Sequence, residues 1–111
     1  MTGGPLDAPA TRRRLDPTGL RALRAARDHL VDAASVAHED AVAASVAAYV
    51  RVMLDARFAS ETIMFLVHAA LDVGMPMPRS PERRARRART IDEWTAWTAA
   101  VVDRARPAPR E

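Results

Sequence analysis

Between Gly19 and Gly74 there is no glycine, and between Pro17 and Pro76 there is no proline. The span from Leu20 to Leu71 is therefore free of the two residues that most strongly turn a backbone away from the helix. Its centre, Val36 to Ala56, is rich in alanine, and runs of β-branched residues are absent. With abundant Ala, Leu, Arg and Met, this predicts an all-α chain. At 111 residues it is one domain at most, burying a modest share of its surface. Nearly half of the apolar residues are Ala. These contribute little each, whereas a fully buried Val, Leu, Ile, Phe or Met contributes about 1.5–3 kcal/mol. Small bundles with so thin a core often borrow surface from a second copy or a partner.

Taken in order, residues 1–15 hold Gly3, Gly4, Pro5, Pro9 and the run Arg12, Arg13, Arg14 without periodicity. They read as a disordered basic arm. At Asp16-Pro17 the signals change: Asp16 suits an N-cap and Pro17 the first helical position, and Leu15 can staple onto Leu20. Apolar spacing then predicts a helix over 17–34. A break is expected between Ser35 and Asp40, with Ser35 as a candidate cap. An unbroken helix through this region would run about 40 residues, or about 60 Å, which is too long for a compact domain of this size.

The second helix is expected over 36–57. Wound at 100° per residue, it has a bulky face of Val42, Val46, Tyr49, Val50 and Met53. A separate small face carries Ala37, Ala41, Ala44, Ser45, Ala48 and Val52 and permits close helix approach, with Ala37, Ala41, Ala44 and Ala48 as the candidate contact face. A third helix over 60–73 begins with Ser60 as cap and Glu61 in the first turn. Its stripe is Ile63, Leu66, Val67, Ala70 and Leu71, with Met64 and Phe65 as extra apolar residues, and Gly74 follows as a C′ residue. Met75-Pro76-Met77-Pro78 cannot be helical. Ser80-Pro81-Glu82 opens at most a short helix over 81–89. Thr90-Ile91-Asp92-Glu93 then forms a capping box that starts a last helix over 91–105. The expected architecture is a small bundle of about four helices occupying 16–106, with disordered termini at 1–15 and 107–111.

Several function classes lack their residues. There is no Cys, so neither a disulfide framework nor a thiolate zinc site is available. No apolar run approaches the ~20 residues of a membrane span, and the N-terminus lacks a signal peptide's apolar segment, so a cytoplasmic location is expected. His68 with Asp72, and His29 with Asp28 and Asp32, fall at helical spacings suited to two ligands, but such partial matches read more simply as surface or helix-end residues. No catalytic, metal-binding or cofactor motif and no evident small-molecule substrate emerges, and the chain reads as a non-enzyme.

Charge is the strongest pattern left. Residues 1–27 carry six Arg against two acids, 28–75 two Arg against seven acids, and 76–111 nine Arg against five acids. Every basic side chain is Arg, as a GC-rich bacterial genome would write it, and the net charge is only +3. Arg12, Arg13 and Arg14, with Arg83, Arg84, Arg86, Arg87 and Arg89, are candidate polyanion contacts. The competing reading is a solvated, charge-rich connector whose arginines pair with Asp28, Asp32 or Asp55 of the acidic middle. Trp94 and Trp97 form one aromatic ridge: Trp94 is expected in the core, and Trp97 at its edge or on a contact surface. Met53, Met64, Met75 and Met77 fill gaps beneath the proline connector, and Met77 with Trp97 is the candidate interface rim. The function predicted is a small helical protein–protein interaction module, a regulatory or accessory subunit that self-associates or docks on a larger protein. The alternative is a nucleic-acid-associated protein holding phosphates through its Arg clusters.

Overall fold

A computed structural model describes residues 16–106. The arm 1–15, with Arg12, Arg13, Arg14 and the Leu15 staple, and the tail 107–111 lie outside the described residues. Four helices follow one another: α1 (Pro17–Val36), α2 (Glu39–Asp55), α3 (Ser60–Gly74) and α4 (Pro81–Ala105). No strand is present among the described residues. The chain is the all-α four-helix bundle its patterning predicts.

The boundaries arise from local chemistry. The Asp16 carboxylate accepts from the Gly19 N–H at 2.8 Å, and Pro17 occupies the first turn of α1. The break between α1 and α2 falls inside the expected window, by a different device. Ala37 adopts the left-handed conformation with φ 55°, and its N–H donates to the carbonyls of Ala33 and Ala34. His38 caps α2, its Nδ1 accepting from the Ala41 N–H at a long 3.4 Å. Ser35, expected to cap, donates its hydroxyl back to the Asp32 carbonyl at 2.7 Å. Glu39 and Asp40 then sit at the positive end of the α2 dipole.

The expected 36–57 helix stops at Asp55. Arg57 takes φ 65° and donates to the Leu54 carbonyl, while the Phe58 N–H reaches the Met53 carbonyl. These two bonds make a Schellman ending without a glycine. The next cap also differs from expectation, because Ala59 holds the N-cap position of α3 without a side-chain bond and Ser60 is already helical.

α4 departs furthest from what the sequence pattern predicts. It is continuous over 25 residues, so 81–89 and 91–105 are one helix and the capping box at Thr90 is not used. The start signals upstream are stronger: the Ser80 hydroxyl accepts from the Arg83 N–H at 3.1 Å, and Pro81 opens the first turn. From there Arg and Ala are good helix formers with no breaker up to Pro107. Once the backbone is already helical at Thr90, its N-cap geometry is unavailable.

The helices alternate in direction. α1 packs on α2 and α3, α4 packs on α3 and α2, and α2 and α3 meet across the middle. The bulky face of α2 lies there, with Val42, Val46, Tyr49, Val50 and Met53 all buried, against Leu30 of α1, Ile63, Val67 and Leu71 of α3, and Ile91 and Val102 of α4. Thr98 is the single buried polar residue among those described, and its hydroxyl donates to the Trp94 carbonyl at 2.8 Å. Gly74 is the last residue of α3 rather than a left-handed C′ residue. A Cβ there would run into the Val31 carbonyl oxygen and stand 2.9 Å from the Ala34 Cβ. Gly74 is needed because α1 and α3 approach so closely there.

Candidate interaction surfaces

The candidate small face is divided by the structure. Ala37 is not on α2 at all but forms the left-handed break before it, exposed to solvent. Ala41 is half-buried, while Ala44 and Ala48 are exposed and border a shallow groove with Ala25, Ala26 and His29 of α1. α1 thus covers one flank of the small face and leaves the other open.

Of the five arginines between Arg83 and Arg89, two are engaged within the chain. The Arg87 side chain is only 11% exposed. Its Nη1 donates to the Asp72 carboxylate at 3.0 Å, Nη2 to the Asp72 and Met75 carbonyls at 2.7 and 3.0 Å, and Nε to the Pro76 carbonyl at 3.2 Å. The Asp72 carbonyl belongs to the last turn of α3, where the helix leaves its own acceptors unpaired. Arg84 Nε donates to the Pro78 carbonyl at 2.9 Å. Together the two side chains hold the proline connector along the first turns of α4. The acid that partners this segment is Asp72, not the expected Asp28, Asp32 or Asp55, and it is therefore drawn toward α4 rather than paired with His68. His68 faces Asp92 instead, at 4.0 Å.

Arg83, Arg86 and Arg89 remain exposed and in no ion pair among the described residues. Arg83 and Arg86 line a hollow with Ala37, Pro76 and Thr90. Thr90 also lines the next hollow along α4, with Glu39, Asp40, Glu93, Trp94 and Trp97. There the indoles meet edge to face, centroids 5.3 Å apart and planes at 86°, both half-buried. Trp94 is thus at the core's margin rather than inside it, and the ridge implied by the three-residue spacing is real. None of Glu39, Asp40 and Glu93 is in an ion pair among the described residues.

Apolar side chains stand at the surface elsewhere. Met77, the other rim candidate, is exposed on the connector. Phe65 is 70% and Val73 63% exposed on α3, with half-buried Ala69 between them at four-residue intervals. Helical spacing marks Phe65 only as an extra apolar residue and leaves Val73 without a role. The signal is nevertheless present in the sequence, since both lie on the side of the helix away from the Ile63–Val67–Leu71 stripe. Val36, at the end of α1, is equally exposed.

One ionisable side chain among the described residues is perturbed by its surroundings. Burial pushes the Tyr49 phenol above its ordinary 10.0, with the Arg27 guanidinium pulling the other way. Among the described residues no three His, Asp or Glu side chains are grouped to hold a metal ion. No described helix is long and apolar enough to cross a membrane. In comparison with known proteins, no family model matches the sequence, and no curated protein and no solved structure is significantly similar to it.

Proposed function

We propose that this chain is a small helical protein–protein interaction module, a regulatory or accessory subunit working in the cytoplasm and not an enzyme. The observation that carries this reading is the apolar row Phe65–Ala69–Val73 on the outer face of α3. An exposed aromatic and a β-branched side chain, two turns apart on a helix otherwise committed to a thin core, are the kind of surface that binding partners cover. Residues at i, i+4 and i+8 suit a helix laid alongside α3. A photo-crosslinking amino acid at position 65 in the intact cell tests this. A discrete adduct, lost on Val73→Ser and absent when the probe sits at Arg104, is the expected result. No adduct at position 65 would count against the reading.

A second reading rests on Arg83, Arg86 and Arg89, whose guanidinium groups stand free of ion pairs among the described residues and suit phosphate. With Arg84 and Arg87 tied to the connector, and with Glu39, Asp40 and Glu93 lining the neighbouring hollow, binding to nucleic acid would be weak, and three free guanidinium groups would give it only a shallow salt dependence. Absence of binding to duplex DNA and to single-stranded RNA at low salt would remove this alternative.

A further inference from the structure

The two hollows on α4 share Thr90 and carry opposite charge. On the N-terminal side stand Arg83 and Arg86, and on the C-terminal side stand Glu93, the Trp94–Trp97 pair and the acids of the α2 start. At 100° per residue, Arg83, Arg86, Thr90, Glu93 and Trp97 fall within about 80° of the circumference of α4, on one face. Arg86 and Glu93 lie about one turn to either side of Thr90. A half-turn about an axis through Thr90, perpendicular to the helix, exchanges the basic hollow with the acidic one. A surface with this property is complementary to itself.

We propose that this face of α4 is the contact between two copies of the chain, packed antiparallel about a two-fold axis at Thr90. Arg86 then meets the partner's Glu93, and Arg83 lies over the indole of the partner's Trp97, where a guanidinium is attracted by the ring face. The inference deepens the interaction-module reading, on which it rests, by naming one partner as a second copy. A polyanion satisfies the arginines but is repelled by Glu39, Asp40 and Glu93. An apolar partner strands both sets of charges. A second copy answers each charge with its opposite at both ends of one contact, and buries the open flank of the tryptophan pair.

Sedimentation velocity on the full chain, over a concentration series at low and high salt, is the test. The wild type is expected to dimerise and to weaken with salt. Arg86→Glu and Glu93→Arg each place like charges together twice per dimer and weaken the homodimer at least about tenfold. An equimolar mixture of the two variants recovers the dimer, because one of its two contacts is native and the other is charge-swapped. Both side chains are exposed, and an unchanged thermal melt of each variant shows that the fold is intact. A strictly monomeric wild type overturns the proposal. So does a dimer indifferent to both substitutions, or a mixture that fails to recover. In the last two cases the chain still self-associates, through another surface or another pairing, and the interaction-module reading stands. A monomer that nonetheless crosslinks another protein from position 65 likewise separates the two.

Discussion

Arg87 of α4 reaches back across the connector to Asp72 of α3, one guanidinium nitrogen on the carboxylate at 3.0 Å and another on the residue's own carbonyl at 2.7 Å. The same side chain serves the carbonyls of Met75 and Pro76, so one planar fork satisfies the end of a helix and the loop after it. A lysine offers a point charge and cannot span these acceptors.

Arg87→Lys is therefore expected to destabilise the fold nearly as much as Arg87→Ala, by about 1–3 kcal/mol. Arg84→Ala, which removes one exposed bond to Pro78, costs under about 1 kcal/mol. Chemical denaturation of the three variants provides the comparison. A lysine variant as stable as the wild type would show that charge alone suffices at this position.

Gly74→Ala pits two effects against each other. Alanine is the better helix former by about 1 kcal/mol. Its Cβ, however, meets the backbone oxygen of Val31, and backbone cannot step aside as the tip of a long side chain can. Overpacking of this kind costs about 1–3 kcal/mol and wins. The melting temperature is expected to fall by several degrees, at roughly 4–8 °C per kcal/mol for a domain of this size. An unchanged or higher value would mean that α1 and α3 separate freely.

Ser80 and Thr90 make a sign test of where α4 begins. Ser80→Ala removes a working N-cap and costs about 0.5–2 kcal/mol. Thr90→Ala, in the interior of a continuous helix, exchanges a β-branched residue for the best helix former and leaves stability level or higher by up to about 0.7 kcal/mol. Were Thr90 the start of a helix, the order of the two effects would reverse. Thermal melts of the pair decide it.

Alkaline pH reads a single side chain. The chain has one Tyr, no Cys and no Lys, and arginine stays charged throughout. Because burial holds the Tyr49 phenol above its ordinary 10.0, the folded state keeps this proton longer than the unfolded state does. Its contribution to stability is full below pH 10.0 and is lost as pH rises through the folded-state value. Tyr49→Phe is expected to flatten the fall in melting temperature above about pH 10. A variant that loses stability as steeply as the wild type would place the alkaline sensitivity elsewhere.

Much of this fold is legible in the amino-acid sequence, because the core follows periodicity. All five residues of the bulky α2 face are buried, and Asp16 with Pro17 starts α1 as expected. What escapes the sequence is punctuation that depends on the neighbours. Ala37 and Arg57 adopt left-handed conformations that their side chains do not announce. Thr90 to Glu93 satisfies a capping pattern that the upstream helix overrides. Gly74 reads as a helix stop, yet its need for a bare backbone comes from Val31, far away in sequence. The same holds for function. The Trp94–Trp97 ridge follows from a three-residue spacing, whereas the opposite charge of the two hollows around Thr90 depends on α2 bringing Glu39 and Asp40 alongside α4.

Because the carbonyls of Met75, Pro76 and Pro78 take their donors from residues 84 and 87, the connector has no turn of its own to adopt while it is being synthesised. Its path depends on α4 lying alongside it. Until α4 is in place, these three carbonyls lack the donors that hold the segment. A chain cut short before Arg84 would therefore leave these three carbonyls to water.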